Sequence, residues 1–303
     1  MKKINWLSKP VNYVLMTILV IVWGYEYIAA KDAMETVAPL TLVCFKYGVA
    51  LVFLIAYKLI RDRHFLLRKR DIGFFVLCAL FGDIMYWVGE YNAMHYMQIS
   101  LVTIVLAFVP VLSIILEIFI YKVKPTLAIS LGIIICIAGV TLVVGADMKA
   151  LLSGQFIGFL LAGVAVVSWN IYNFLTARLS GSYNPLDVTI YQLTAAVVVT
   201  LPYTVMNFPA VASIDAHFIY DVLYLALPST CFSFVVYINS VRSIGVTPTA
   251  LFSNMLPVTS TFFGWLCLGE MIAPLQIVGG AIVVAAGSVV IWLKGKERDG
   301  NNA

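Results

Sequence analysis

Ten apolar runs, each close to the length needed to cross a bilayer, constrain this chain more than any other feature. They fall at approximately 11–31, 39–60, 71–92, 98–121, 126–144, 154–178, 186–206, 217–240, 247–268 and 273–293. Each holds roughly 19–25 residues, against about 20 for a helix that spans the hydrocarbon core. Most connections are too short to fold alone, so no soluble domain is expected. Helices are expected throughout, because an open strand edge leaves backbone polar groups unsatisfied in lipid. Composition agrees: of 303 residues, 62% are hydrophobic and 11% charged, too few charges to cover a soluble protein of this length. The expected fold class is an all-α polytopic membrane protein of ten transmembrane helices.

Several function classes are excluded by what the charge and motifs do. The net charge of +4 arises from basic residues in short connections, so no nucleic-acid partner is expected. Cys44, Cys78, Cys136, Cys231 and Cys267 form no Cys-x-x-Cys pair, and neither a disulfide framework nor a zinc site is indicated. His64, His95 and His217 are scattered near loop ends without metal-ligand spacing. There is no P-loop, HExxH or nucleophile elbow, so neither enzyme chemistry, a cofactor nor direct use of ATP is expected. The N-terminus is superficially signal-like, but its apolar run is too long and no small-residue cleavage site follows. It reads as an uncleaved first span. With the N-terminus inside, 16 of the 19 Lys and Arg residues fall on the inner side. Only Lys31 and Lys149 fall outside, and Lys46 lies within a span. That bias places both termini in the cytoplasm of a multi-pass protein of the cytoplasmic membrane.

The chain also repeats itself. Trp23 stands 16 residues before Pro39, and Trp169 stands 16 before Pro185. Asn92 and Pro110 recur as Asn239 and Pro257 at a shift of 147, and Gly132 and Gly139 as Gly280 and Gly287 at a shift of 148. These landmarks divide the chain into two five-helix repeats, 1–149 and 150–303, within one integral membrane domain. Five is odd, so the second repeat enters the membrane from the opposite side. Such an inverted pair around a central cavity suits alternating access. The glycine pairs, seven residues apart, read as helix-packing notches.

Ionisable residues inside a membrane are the informative ones. In the first helix Trp23, Glu26, Tyr27 and Ala30 share one face. The matching face of the sixth helix carries Trp169, Tyr172 and Asn173. The third helix repeats the pattern with Asp83, Trp87, Glu90 and Tyr91, and its counterpart in the eighth holds Tyr237. Helices four and nine carry mid-span prolines, Pro110 and Pro257, as hinge or gating positions, with Asn254 close to the second. A proline there frees a backbone carbonyl that needs another partner. Glu26 and Lys46 lie at matching depth, roughly 7–11 Å below one surface at 1.5 Å per residue. They could form a structural pair, or Glu26 could anchor a substrate amine or titrate a proton. Glu90 is a rival partner for Lys46. Glu117 lies toward the inner end of helix four and is open to a structural or a coupling role.

Taken in order, these features resemble one family. VWGYEYIAAK is followed by a proline that opens the next helix, in APLTLVCFKYG. AFVPVLSIILEIF leads to GIIICIAGVTLVV, and NMLPVTSTFFGWLCLGE leads to GGAIVVAAGSVVI. Over essentially its whole length the chain resembles EamA-type transporters of the drug/metabolite transporter superfamily. The resemblance implies two inverted five-helix units and secondary transport, most often export, of amino acids, other metabolites or toxic compounds. Where that family commonly has Arg, this chain has Lys46, which keeps the charge without the guanidinium fork. The family's Gly-Glu at the end of each proline helix survives as Gly269-Glu270, while its first-half equivalent falls near Val123. Glu26 is not a position the family pattern charges.

The expected function is a secondary transporter moving a small organic solute across the cytoplasmic membrane by alternating access. The aromatic stripes suit a flat or partly apolar solute, and Glu26, Asp83 and Glu90 suit an amine. The bilayer, the solute, and protons or a counter-substrate are the expected partners. Uptake of a vitamin- or nucleoside-like metabolite is the alternative, with a membrane scaffold or enzyme ranked after it.

Overall fold

The computed structural model describes residues 9–61, 63–122, 124–145, 154–179 and 182–301. Trp6, expected as a membrane-interface anchor, Lys2 and Lys3 among the inner-side basic residues, Val123, Lys149 and the 149/150 repeat boundary lie outside the described residues. Among the described residues, ten helices are long and apolar enough to cross a membrane. They are α1 (Pro10–Ala33), α2 (Pro39–Arg61), α3 (Lys69–Tyr96), α4 (Ile99–Ile120), α5 (Leu127–Gly145), α6 (Phe156–Leu179), α7 (Pro185–Met206), α8 (Ala216–Val241), α9 (Pro248–Leu268) and α10 (Pro274–Glu297). Each coincides with an expected span, and the ends differ by a few residues at most.

The sequence marks where these helices start. Pro39, Pro185 and Pro274 open α2, α7 and α10, where a missing N–H costs nothing. Asn184 caps α7 by accepting from Leu186 N at 3.2 Å. Asp215 caps α8 by accepting from Phe218 N at 2.8 Å. Each such cap is worth about 0.5–2 kcal/mol.

The interruptions recur in both halves. α4 breaks after Leu106 and resumes at Val109, with Pro110 in its first turn. α9 breaks after Ser253 and resumes at Leu256, with Pro257 in the same place. Both breaks arise from a proline that lacks an N–H and crowds the preceding turn. The resumed pieces end at Tyr121 and Leu268 and are closed by Lys122 and Gly269 in the left-handed conformation, with φ 54° and 64°. Stepping from 106 to 253, 109 to 256, 121 to 268 and 122 to 269 is the same shift of 147. α3 and α8 each contain a π-helical stretch, Ala79–Met85 and Leu227–Phe232. In α8 the wider turn is stabilised by Thr230, whose hydroxyl donates to the Leu225 carbonyl at 2.8 Å.

The described chain forms two compact units, and neither is one half of the sequence. The first comprises Met1–Tyr25, Tyr96–Leu160 and Ser233–Ala303, and the second Glu26–His95 and Leu161–Phe232. Within the first, α5 packs along α10. A Cβ on Gly139 would meet Ile282 at 2.9 Å and the Gly279 carbonyl at 3.0 Å, so the two backbones approach closely. Gly132 faces Val290, Gly280 faces Ile104 and Gly287 faces Asn254. The expected notches are packing positions, as helices in lipid need, since apolar burial alone does not hold them together there. Within the second unit, α2 packs on α7 and is tied to it by Lys58 Nζ, 2.9 Å from Asp187 Oδ1. Below α3 and α6, Phe75, Cys78, Leu179, Tyr183 and Val188 form a buried cluster. Tyr183 donates to Asp71 Oδ2 at 2.6 Å and accepts from Arg68 N at 3.2 Å. Burial raises its pKa, with the Asp71 hydrogen bond adding to the effect, so the phenol stays a donor at neutral pH.

Candidate functional site

Most of the sequence-selected residues converge in the second unit. Lys46 Nζ of α2 lies 2.6 Å from Glu26 Oε1 of α1, and the two side chains are 1% and 6% exposed. The same ammonium sits 3.3 Å from the centre of the Trp87 ring on α3 and donates to Tyr91 Oη at 3.4 Å. Pairing offsets the roughly 2.5–3.5 kcal/mol that each charge costs in a spanning helix. The ring face adds up to about 2 kcal/mol in a desolvated place. Glu26 is therefore Lys46's carboxylate partner, and Glu90 forms no ion pair among the described residues.

Around this pair runs a continuous aromatic wall. Tyr172 and Trp169 of α6 stand 4.9 Å apart between ring centres. Trp169 meets Tyr86 of α3 at 4.7 Å, Tyr86 meets Trp87 at 5.1 Å, and Trp87 meets Tyr91 at 5.1 Å. Gln192 of α7 holds the far end by donating to Tyr172 Oη at 3.1 Å. Asn173 is half-buried on α6. Gly82 of α3 lies against the Tyr172 ring and Gly89 against the Leu161 carbonyl, so α3 and α6 approach closely at both positions.

Two further carboxylates are buried here and form no ion pair among the described residues. Glu90 has 0% exposure and Asp83 has 5%. The Tyr27 and Tyr86 hydroxyls lie beside Glu90, but neither Glu90 oxygen meets a donor in good hydrogen-bond geometry. Tyr47 lies beside Asp83, whose Oδ2 likewise lacks a donor. A charge buried this way is costly unless something pairs with it.

The remaining selected residues lie in the first unit. Trp23 and Tyr237 face one another at 6.2 Å. Asn254 donates to the Val284 carbonyl at 3.0 Å and to Ser288 Oγ at 2.9 Å, binding α9 to α10. Pro110 and Pro257 mark the two helix breaks. Thr103 and Ser260 join α4 to α9 across a 2.7 Å hydroxyl contact. Glu117 stands 3.9 Å from Lys294, so it links α4 to α10.

Sequence reasoning passed over three participants. Tyr86 belongs to the wall and Tyr47 stands beside Asp83; Tyr86, three residues after Asp83 and four before Glu90, shares the face traced in the third helix, whereas no polar face was traced in the second. Glu270 was visible only as a family remnant. Its Oε1 accepts from Ile99 N at 3.0 Å, and its Oε2 from Ser100 N at 3.4 Å and Ser100 Oγ at 3.2 Å. It thus caps the N-terminus of α4, where a negative charge also meets the helix dipole.

Ten spanning helices, with interruptions recurring at one shift and paired charges inside, define a duplicated multi-pass membrane protein. The EamA-like transporter family matches residues 11–145 and 156–293, and the chain belongs to that family. It is a membrane transporter with a small-molecule substrate, not an enzyme. The two matched segments accord with two five-helix repeats. Among curated relatives, "Uncharacterized transporter YoaV" of Bacillus subtilis is 22% identical, covering 88% of this chain and 91% of its own. "Uncharacterized inner membrane transporter YedA" of Escherichia coli is 23% identical over 92% and 89%. "Probable terminal-alkyne amino-acid exporter" of Streptantibioticus cattleyicolor is 25% identical over 72% of each chain. One crystal structure shares the fold with a TM-score of 0.65, at 17% identity, over 94% of this chain and 99% of that one.

Proposed function

We propose that this transporter exports a small organic solute bearing an amine and an aromatic or apolar body, by alternating access. The observation that carries the reading is the contrast between the buried carboxylates. Glu26 is ion-paired with Lys46, whereas Glu90 is buried among Tyr27, Tyr86 and the aromatic wall and forms no ion pair among the described residues. A cationic amine would supply the missing charge, and the adjoining ring faces suit both an ammonium and a flat apolar body. The Lys46 ammonium, neutralised by Glu26, offers little to a phosphorylated or strongly anionic solute. The amino-acid exporter named among the relatives supports the same class. Glu26 with Lys46 is then architectural, and Glu90, together with Asp83, is the amine-recognising or proton-exchanging group.

The test is counterflow in liposomes, using radiolabelled aromatic and aliphatic amino acids, amines and phosphorylated metabolites. Amine-bearing solutes should exchange, and Glu90→Gln should abolish that exchange while the variant remains folded by thermal melting. Normal transport by Glu90→Gln at every pH would remove Glu90 from the mechanism. No counterflow with any solute, with no thermal stabilisation by any of them, would remove the substrate class.

The distribution of basic residues supports both termini in the cytoplasm. A C-terminal fluorescent-protein fusion should be bright and a C-terminal alkaline phosphatase fusion inactive. The reverse pattern would invert the proposed topology.

A further inference from the structure

We propose that the second unit carries a transition-metal site, of the Zn2+ class, formed by Asp32, His217 and Asp221. It lies apart from the aromatic wall, where the last turn of α1 meets the first turns of α8. One potential ligand atom from each of the three residues lies within 4.8 Å of the others. His217 Nε2 is 3.7 Å from Asp32 Oδ2 and 3.8 Å from Asp221 Oδ2. Zinc bonds of roughly 2.0–2.2 Å put tetrahedral ligand atoms a little over 3 Å apart. The side chains must therefore close in by a few tenths of an ångström up to about 1.5 Å. His217, 65% exposed, has the space to make that move.

Two independent observations point to a cation rather than to a chance meeting of side chains. Asp221 is 1% exposed, and among the described residues neither of its oxygens meets a hydrogen-bond donor, while Oδ2 lies 3.8 Å from His217 Nε2. A buried carboxylate in that state lacks the hydrogen bonds that ordinarily offset desolvation. Asp32 occupies the last turn of α1, where the helix dipole disfavours an anion and favours a cation. The charges around the cluster agree. Asp215 adds a third carboxylate nearby, and its own hydrogen bond to Phe218 N already serves the start of α8. Lys31 is the adjacent basic residue in the chain.

The donor set selects the metal. One imidazole with two carboxylates is a borderline set that suits zinc and leaves a fourth position open. Calcium asks for six to eight oxygens, and magnesium binds through carboxylates, phosphates and retained waters, so both should bind poorly here.

The experiment uses the full chain, purified without a polyhistidine tag, freed of metal with chelator and titrated with ZnCl2, MgCl2 or CaCl2 alone. About one zinc per chain should bind and raise the melting temperature, as a ligand selective for the native state must. His217→Ala and Asp32→Asn should each weaken binding by at least about tenfold. His217 is exposed, so its variant is expected to fold and keeps the test decisive if Asp221→Asn does not. Zinc binding unchanged in His217→Ala, no zinc binding at all, or equal binding of magnesium or calcium would each overturn the proposal. None of these readouts depends on the transported solute.

Discussion

Lys46 is held by a carboxylate, a ring face and a phenol at once, so the Glu26 variant should fail in a particular way. Removing one partner of a buried ion pair leaves the other charge uncompensated, at a cost of roughly 3–5 kcal/mol. Glu26→Gln should therefore lower the melting temperature markedly, and Lys46→Met added to it should recover most of the loss. Thermal melts of the single and double variants decide the point. A Glu26→Gln protein that melts normally but loses the pH dependence of transport would return Glu26 to the substrate or proton pathway. That Glu26 and Lys46 lie at matching depth was legible, because both lie near the same ends of helices one and two, but that they pair was not. Nor was it legible which carboxylate would be left over. Depth ranks Glu26 and Glu90 as equal candidates, and only side-chain direction separates them.

Elements were the most legible level. A run of some twenty apolar residues has few alternatives in a membrane, and Pro39, Pro185 and Pro274 mark their own helix starts. Pro110 and Pro257 announced the broken helices for the same reason. The π stretches were not legible, since no residue type demands one. Nor does spacing reveal that Asp32, His217 and Asp221 meet, because α1 and α8 are far apart in sequence. The repeat supplies a comparison for one strained turn. Gly269 adopts φ 64° without penalty, whereas Lys122 holds φ 54° with a side chain attached. A left-handed residue with a Cβ costs roughly 1–2 kcal/mol. Lys122→Gly should raise stability by about 1 kcal/mol, less the entropy that glycine returns to the unfolded chain. An unchanged or lower melting temperature would show that Lys122's surroundings already compensate for the strain.

At the scale of the whole molecule, the repeats are a fact of sequence and the compact units a fact of packing, and they do not coincide. α5 packs with α10 and α2 with α7, so each unit draws on both repeats. The cap on α4 carries this into biosynthesis. Ile99 and Ser100 lie early in the chain, and the carboxylate that satisfies their amides is Glu270, which leaves the ribosome some 170 residues later. Lys58 must likewise wait for Asp187. Until Glu270 emerges, the Ile99 and Ser100 amides are without this carboxylate. The cap on α4 therefore depends on a residue of the second repeat, and it can form only after most of the chain has been made.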